Sequence, residues 1–209
     1  MKNIYRITAR VVGRKISTWG TYRPLRNNRD EWEARYSSGW LEKYRQLNKL
    51  ARYSIIIGYC HYFTRTPAIL DVGCGQGILQ ERLHHTYRRY VGLDHSAKAI
   101  HRAADRQDDR TVFITADAST YACEEQFDVI VFNECLYYFE DPLAVMRRYE
   151  SLLQADGIFI VSIFEHSKTQ KVWKILDSQY IAIDSVRVRQ KTGNTWAVKV
   201  FAPSRRAHA

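Results

Sequence analysis

Three glycines spaced two apart behind an acid, Asp71-Val72-Gly73-Cys74-Gly75-Gln76-Gly77, are the residues of this chain best suited to holding a ligand against a backbone. Ile69 and Leu70 precede them and a helix-compatible stretch begins at Ile78, so the segment reads as a buried strand turning sharply into a helix N-terminus. Glycine suits such a turn because it takes backbone angles that a Cβ would penalise and lets a ligand come close to the main chain. Two further acids close later apolar runs. Tyr90-Val91-Gly92-Leu93 ends at Asp94, and Phe113-Ile114-Thr115-Ala116 ends at Asp117, with Ala118 next. A carboxylate at the tip of the second strand has acceptor sites on two oxygens, which matches the two hydroxyls of a ribose. The plainer alternative is that Asp94 or Ser96 caps the following helix. A fourth run, Phe127-Asp128-Val129-Ile130-Val131-Phe132, ends at Asn133-Glu134 and leads into Cys135-Leu136-Tyr137-Tyr138-Phe139.

The glycine spacing is G-x-G-x-G, not the G-x-G-x-x-G of dinucleotide oxidoreductases. With Asp71-Val72 it resembles motif I of the class I S-adenosyl-L-methionine (SAM)-dependent methyltransferases. Phe113 to Ala118 is similar to the third-strand motif of that family. Asn133-Glu134-Cys135-Leu136 looks like motif IV of its small-molecule members, and it lacks the two prolines typical of the members that methylate base amines of DNA and RNA. The resemblance implies an α/β, Rossmann-like three-layer α-β-α sandwich: a seven-stranded, mostly parallel sheet whose last strand is antiparallel. It implies SAM as cofactor and Asp71, Gly73, Cys74, Gly75, Gly77, Asp94, His95, Asp117, Ala118 and Asn133 as the residues around it. Backbone N–H groups of the glycine turn and the helix start would meet the methionine carboxylate. Asp94 would take the ribose, Asp117 the exocyclic amine of adenine, and the Ala118 N–H a ring nitrogen. Cys74 fits inside the turn as a small packing residue.

A SAM-dependent transfer needs an acceptor atom held in line with the methyl group, with water excluded. A general base helps a hydroxyl acceptor and is dispensable for a neutral amine. Glu134, His166 and Tyr137 are the catalytic candidates, with His95 and Tyr138 beside them. Each has a plainer role open to it, as a cofactor-positioning, solvated or packing residue, and proximity alone can suffice.

These residues need strands to carry them. Apolar runs place strands at 68–72, 89–94, 111–115, 127–132, 157–164, 180–190 and 195–202, and helical spacing places helices at 77–85, 96–107, 141–153 and 168–178. Strands alternating with helices imply βαβ units and a parallel sheet. Near the end, Val186 to Gln190 and Trp196 to Val200 alternate polar with apolar around Gly193-Asn194, which predicts an antiparallel hairpin. Upstream, Asp30-Glu31-Trp32-Glu33 can open a helix with acids in its first turn. Ser37-Ser38-Gly39 interrupts it, and apolar positions from Trp40 run at helical spacing towards Phe63, before Pro67. By resemblance this front segment would cover the cofactor, with Arg35-Tyr36 and Trp40 as lid candidates. The division expected is a basic arm and helical lid over 1–66 and a SAM-binding domain over 67–209.

Charge separates the same two parts. Residues 1–52 hold 13 Lys/Arg against 4 Asp/Glu, whereas residues 53–209 hold 19 against 18. Arg6, Arg10 and Arg14 recur on one side of a possible amphipathic helix within 1–29, which suits an acidic small substrate, an anionic membrane surface or RNA. The front end therefore keeps RNA methylation as the alternative to methylation of a small molecule, and a SAM-binding scaffold without turnover is a third reading. No apolar run is long enough for a transmembrane helix, and no secretory signal is evident. Cys60, Cys74, Cys123 and Cys135 form no C-x-x-C pair and no set with zinc spacing, so no metal is expected and reduced thiols in a cytoplasmic protein are.

Overall fold

The computed structural model describes residues 24–25, 29–62 and 64–204. The amphipathic segment expected within 1–29 lies outside the described residues, apart from Pro24, Leu25 and Arg29; so does the Trp40 side chain.

Seven strands form one sheet in the order β3-β2-β1-β4-β5-β7-β6. They are β1 Ala68–Val72, β2 Arg89–Asp94, β3 Thr111–Thr115, β4 Phe127–Asn133, β5 Leu153–Phe164, β6 Ala182–Arg189 and β7 Thr195–Phe201. β7 alone runs antiparallel to its two neighbours, β5 and β6. Side chains alternate between faces along a strand, and here both faces are dry. Ile130 and Phe132 of β4, with Leu70 of β1 and Phe159 of β5, build one cluster; Val129 and Val131, with Ile69 and Ile158, build the other. Two buried faces require a helical layer on each side. Val145 and Met146 of α5 (Pro142–Tyr149) and Val172 and Leu176 of α6 (Gln170–Asp177) cover the first. The second is covered by Ile56 and Cys60 of α2 (Leu47–Tyr62) and by Ile78 and Leu79 of α3 (Ile78–Arg82). This is the expected three-layer sandwich.

Several boundaries differ from the sequence reading. The single helix expected from Trp40 is a 3-10 turn, Trp40–Arg45, then an extended Gln46, then α2. α4 (Ala97–Ala103) and α5 are shorter than periodicity suggests, because each closes in a 3-10 turn, Ala104–Arg106 and Glu150–Leu152. Such turns are common at helix ends. The fifth strand begins at Leu153, earlier than the start expected at 157.

Strand order reverses between β1 and β4, which makes their carboxyl ends a crevice where ligands bind in open α/β sheets. Register places the tips together: Val72 is level with Leu93 and Phe132, Asp94 with Thr115, and Asn133 with Ser162. Across this edge lies α1 (Arg29–Ser37). Its Glu33 accepts hydrogen bonds from the backbone N–H groups of Ala97 (2.8 Å) and Lys98 (3.3 Å) at the start of α4. The front segment is thereby fastened over the crevice by a helix-capping contact.

Candidate ligand-binding cleft

Two chambers open at the strand tips. The larger, about 490 Å³, is lined by Arg29, Asp94, His95, Asp117, Ala118 and Phe139 among others, and is of the size that small-molecule ligands occupy. The smaller, about 100 Å³, lies over the glycine turn and includes Arg52, Asp71, Cys74, Gly75, Gln76 and Asn133 in its wall. Trp32, Tyr36, Gly73, Glu134 and Tyr138 line both, so they surround the passage between the chambers. Trp32 on α1 meets Tyr138 edge to face at 5.4 Å.

The glycines are needed on two separate grounds. Gly73 and Gly75 have φ of 73° and 58°, a region in which a side chain is strained. A Cβ at Gly73 would lie 2.7 Å from the Cys135 Cβ, and one at Gly75 would lie 2.8 Å from the Tyr36 hydroxyl. The turn spends most of its amides on its own fold. Gly73 and Cys74 both donate to the Leu93 carbonyl, Gly75 donates to Asp94, and Gly77 donates to Cys74. Their N–H groups are consumed in fixing the turn. Gly77 lines neither chamber; a Cβ there would meet Arg106 and Phe113.

Polar atoms without partners show what the small chamber can hold. Arg52 is only 3% exposed; its Nε has no hydrogen-bond acceptor, and its Nη1 has only an ion pair with Glu134 Oε1 at 3.3 Å. On the same wall, Asp71 Oδ1 and Asn133 Oδ1 are buried without a donor. Buried polar groups are costly unless paired, so this wall suits a ligand with an anionic group towards Arg52 and a cationic group towards Asp71 and Asn133. That is the pattern of an α-amino acid. Burial pushes the Asp71 carboxyl up to about 7, against the Tyr90 hydroxyl that donates to its Oδ2 at 2.6 Å.

Glu134 stands at the passage in a left-handed backbone conformation, φ 63°. Its Oε1 accepts from the Ser162 hydroxyl (3.2 Å) and lies 3.3 Å from Arg52 Nη1; its Oε2 accepts from Tyr137 Oη (3.2 Å) and Trp196 Nε1 (3.1 Å). Burial pushes the Glu134 carboxyl up, and Arg52, Tyr137, Trp196 and Ser162 hold it back. In the large chamber, Asp94 accepts from Gly75 N through Oδ2 and from Ser96 N through Oδ1, both at 2.9 Å. Ser96 is the residue that caps α4, by accepting from Ala99 N. His95 Nδ1 lies 3.6 Å from Asp94 Oδ1. Asp117 orders its own turn by accepting from Ser119 while it also lines the chamber.

Of the catalytic candidates, the fold brings Glu134 and Tyr137 together and leaves His166 out. His166 is exposed, lines neither chamber, and uses Nδ1 to accept from Lys168 N. Tyr36, expected in the lid, lines both chambers, and Arg35 stacks on Trp32 from outside. Arg52 and Trp196 escaped the sequence reading. The signal for Arg52 was present: it falls four residues before Ile56 and eight before Cys60, on the buried stripe of α2.

Comparison with known proteins agrees with the architecture. A family model described as a methyltransferase domain matches residues 70–161. Residues 70–161 belong to the class I SAM-dependent methyltransferases. That family's cofactor is SAM. The methyltransferase domain is 28% identical over 122 residues to a ubiquinone biosynthesis O-methyltransferase of Actinobacillus pleuropneumoniae, an alignment that covers 54% of this chain and 52% of the relative. The chain thus spans about half the length of the curated relatives it matches. Among solved structures, the N-methyltransferase NodS from Bradyrhizobium japonicum with bound S-adenosyl-L-homocysteine superposes with a TM-score of 0.71 at 19% identity, covering 83% of this chain and 96% of that one. The 1,6-didemethyltoxoflavin-N1-methyltransferase of Burkholderia thailandensis gives 0.66 at 19% identity, covering 90% and 97%. The chain therefore shares its fold with these two N-methyltransferases and part of its sequence with an O-methyltransferase. The four cysteines are all free. No described helix is long and apolar enough to cross a membrane, and no group of metal-ligating residues occurs among the described residues.

Proposed function

We propose that this protein is a SAM-dependent methyltransferase acting on an oxygen or nitrogen atom of a small-molecule acceptor. The observation that carries the reading is the small chamber, where Arg52, with Nε unpartnered and Nη1 in an ion pair with Glu134, shares a wall with the unpartnered oxygens of Asp71 and Asn133 beside a turn only glycine can form. It matches the amino-acid end of SAM, and the adjoining chamber offers Asp94 and Asp117 to the nucleoside end. In this reading Arg52 takes the carboxylate, Asp71 and Asn133 the ammonium, Asp94 the ribose hydroxyls, and Asp117 with Ala118 the adenine edge. His95 borders the ribose subsite. Gly73, Cys74 and Gly75 shape the floor without spending N–H groups on the ligand, and Gly77, outside both chambers, closes the turn. Residues 1–66 act as arm and lid and residues 67–209 as the catalytic unit.

When bound, SAM supplies a methyl group activated by a sulfonium centre. The chain's own residues orient and exclude. Glu134 holds the Arg52 guanidinium in place, and Trp32, Tyr36 and Tyr138 close the passage to water, which strengthens every polar contact within. The names of the curated relatives support oxygen as the acceptor atom.

Calorimetric titration with SAM, S-adenosylhomocysteine and NAD tests the assignment. SAM and S-adenosylhomocysteine should bind, NAD should not, and Arg52→Ala should weaken both by at least tenfold. An acceptor screen that reads released S-adenosylhomocysteine then tests turnover. Binding of NAD in preference to SAM would overturn the proposal.

A further inference from the structure

Gln76 belongs to the glycine turn, yet its side chain has no task in the cofactor reading above. Gly75 and Gly77, with φ of 58° and 74°, fix the backbone on either side of it. Its own carbonyl accepts from the Arg106 guanidinium, so its place in the fold is set. The residue is only 3% exposed and lines the small chamber. Its Nε2 is buried without an acceptor, and no hydrogen bond reaches its Oε1 among the described residues. A buried carboxamide with both ends idle is costly, and an apolar side chain of similar length would serve folding better. The fold does not use this amide, which leaves a ligand to use it.

The neighbouring groups indicate which part of a ligand that is. Orphaned buried polar atoms occur on seven described residues, and four of these, Arg52, Asp71, Gln76 and Asn133, line this one chamber. Asp71 Oδ1 and Asn133 Oδ1 are acceptors, a pair already suited to an ammonium. The donors are Arg52 Nε and Gln76 Nε2, since Arg52 Nη1 has its ion pair with Glu134 at 3.3 Å. The N–H groups of Gly73, Cys74 and Gly75 add nothing, because they are spent on Leu93 and Asp94. A carboxylate has two oxygens to satisfy, and two side-chain donors match them. A neutral carboxamide supplies the second donor without setting another cation beside the ligand's ammonium.

We propose that Gln76 is a binding residue of the small chamber, donating from Nε2 to the carboxylate at the amino-acid end of the ligand, beside Arg52. The assignment rests on the SAM reading of the cleft and goes beyond it: the carboxylate is held by two side chains, one charged and one neutral, in place of the turn's own amides.

Calorimetric titration of the full chain with S-adenosylhomocysteine tests this on Gln76→Met and Gln76→Glu. Methionine keeps the length and removes the donor, so it should weaken binding about tenfold or more, the worth of a hydrogen bond to a charged group. 5′-Methylthioadenosine, which keeps the nucleoside and lacks the amino acid, should bind wild type and Gln76→Met alike. Without ligand, Gln76→Met should melt at or above the wild-type temperature, since no hydrogen bond of the fold is lost. Gln76→Glu should bind S-adenosylhomocysteine more weakly than Gln76→Met, because a like charge then faces the carboxylate. Undiminished affinity in Gln76→Met would overturn the proposal, as would an equal loss for 5′-methylthioadenosine or a lowered melting temperature. Tighter binding by Gln76→Glu than by Gln76→Met would place the ammonium there and overturn it too. Wild-type protein that binds no S-adenosylhomocysteine defeats the cofactor reading; wild type and Gln76→Met binding it equally defeats only the Gln76 contact.

Discussion

Asp94→Asn and Asp94→Ala probe the junction on which the cleft depends. The carboxylate is 8% exposed and joins two elements, accepting from Gly75 in the glycine turn and from Ser96 at the start of α4. Each oxygen retains a lone pair for the chamber. Asparagine keeps one acceptor oxygen and replaces the other with a donor, so it confronts one of the two backbone N–H groups directly. Alanine strands both. Hydrogen bonds to a charged acceptor are worth about 1.5–3 kcal/mol, and an unsatisfied buried donor costs about 1–3 kcal/mol. Loss of the ribose contacts alone should raise the dissociation constant of S-adenosylhomocysteine about 10- to 150-fold. The same change should lower Tm by several degrees, since a domain of this size moves about 2–4 °C per kcal/mol. Calorimetry gives the first quantity and differential scanning fluorimetry, without ligand, gives the second. A variant with lowered Tm but wild-type affinity would show that Asp94 serves only the turn and the helix cap, and would refute its assignment to the ribose.

Three other outcomes follow from the same geometry. The Asp71 carboxyl titrates near 7 when folded against an ordinary value of 3.8, so the native state holds a proton that the unfolded chain has released; stability contributed through this group declines from about pH 4 to about pH 7 and is level above that. A ligand ammonium favours the ionised form, so S-adenosylhomocysteine affinity should rise with pH up to about 7, by at most tenfold per unit, and Asp71→Asn should flatten that slope. Gly73→Ala must both accept φ of 73° and displace Cys135, so we expect a Tm loss corresponding to at least about 1–3 kcal/mol in chemical denaturation, with Gly193→Ala, whose Cβ meets nothing, showing only the backbone part. Glu33→Gln keeps one acceptor oxygen at α4, sets an NH2 donor against the other backbone N–H and removes the charge, and should speed S-adenosylhomocysteine dissociation in stopped-flow by at least about twofold to fivefold, the worth of a charged cap of about 0.3–1 kcal/mol; an unchanged rate would mean that α1 does not gate release.

Strands and their order along the chain were legible because both faces of the sheet are buried. A run such as Val129 to Phe132 has no other stable use. Helix ends were less so: Gln46 breaks the front segment without glycine or proline, through an extended backbone that no residue type there announces. Within the site, the acids at Asp71, Asp94 and Asp117 could be placed because each closes an apolar run. The role of the turn amides could not, since their partners come from Leu93 and Asp94 on a different strand. Trp196 and Ser162 meet Glu134 across 62 and 28 residues of sequence, contacts that only strand order creates. His166 illustrates the converse. It follows a strand at the correct edge, but the sheet has moved on to β5, and the side chain turns to its own loop.

The Trp32–Tyr138 contact carries a consequence for the order of events. Both rings border the neck joining the chambers, and one belongs to the helix fastened above it. A ligand that fills both chambers, as proposed for SAM, would have to thread this neck, so α1 would have to lift before such a ligand could enter or leave.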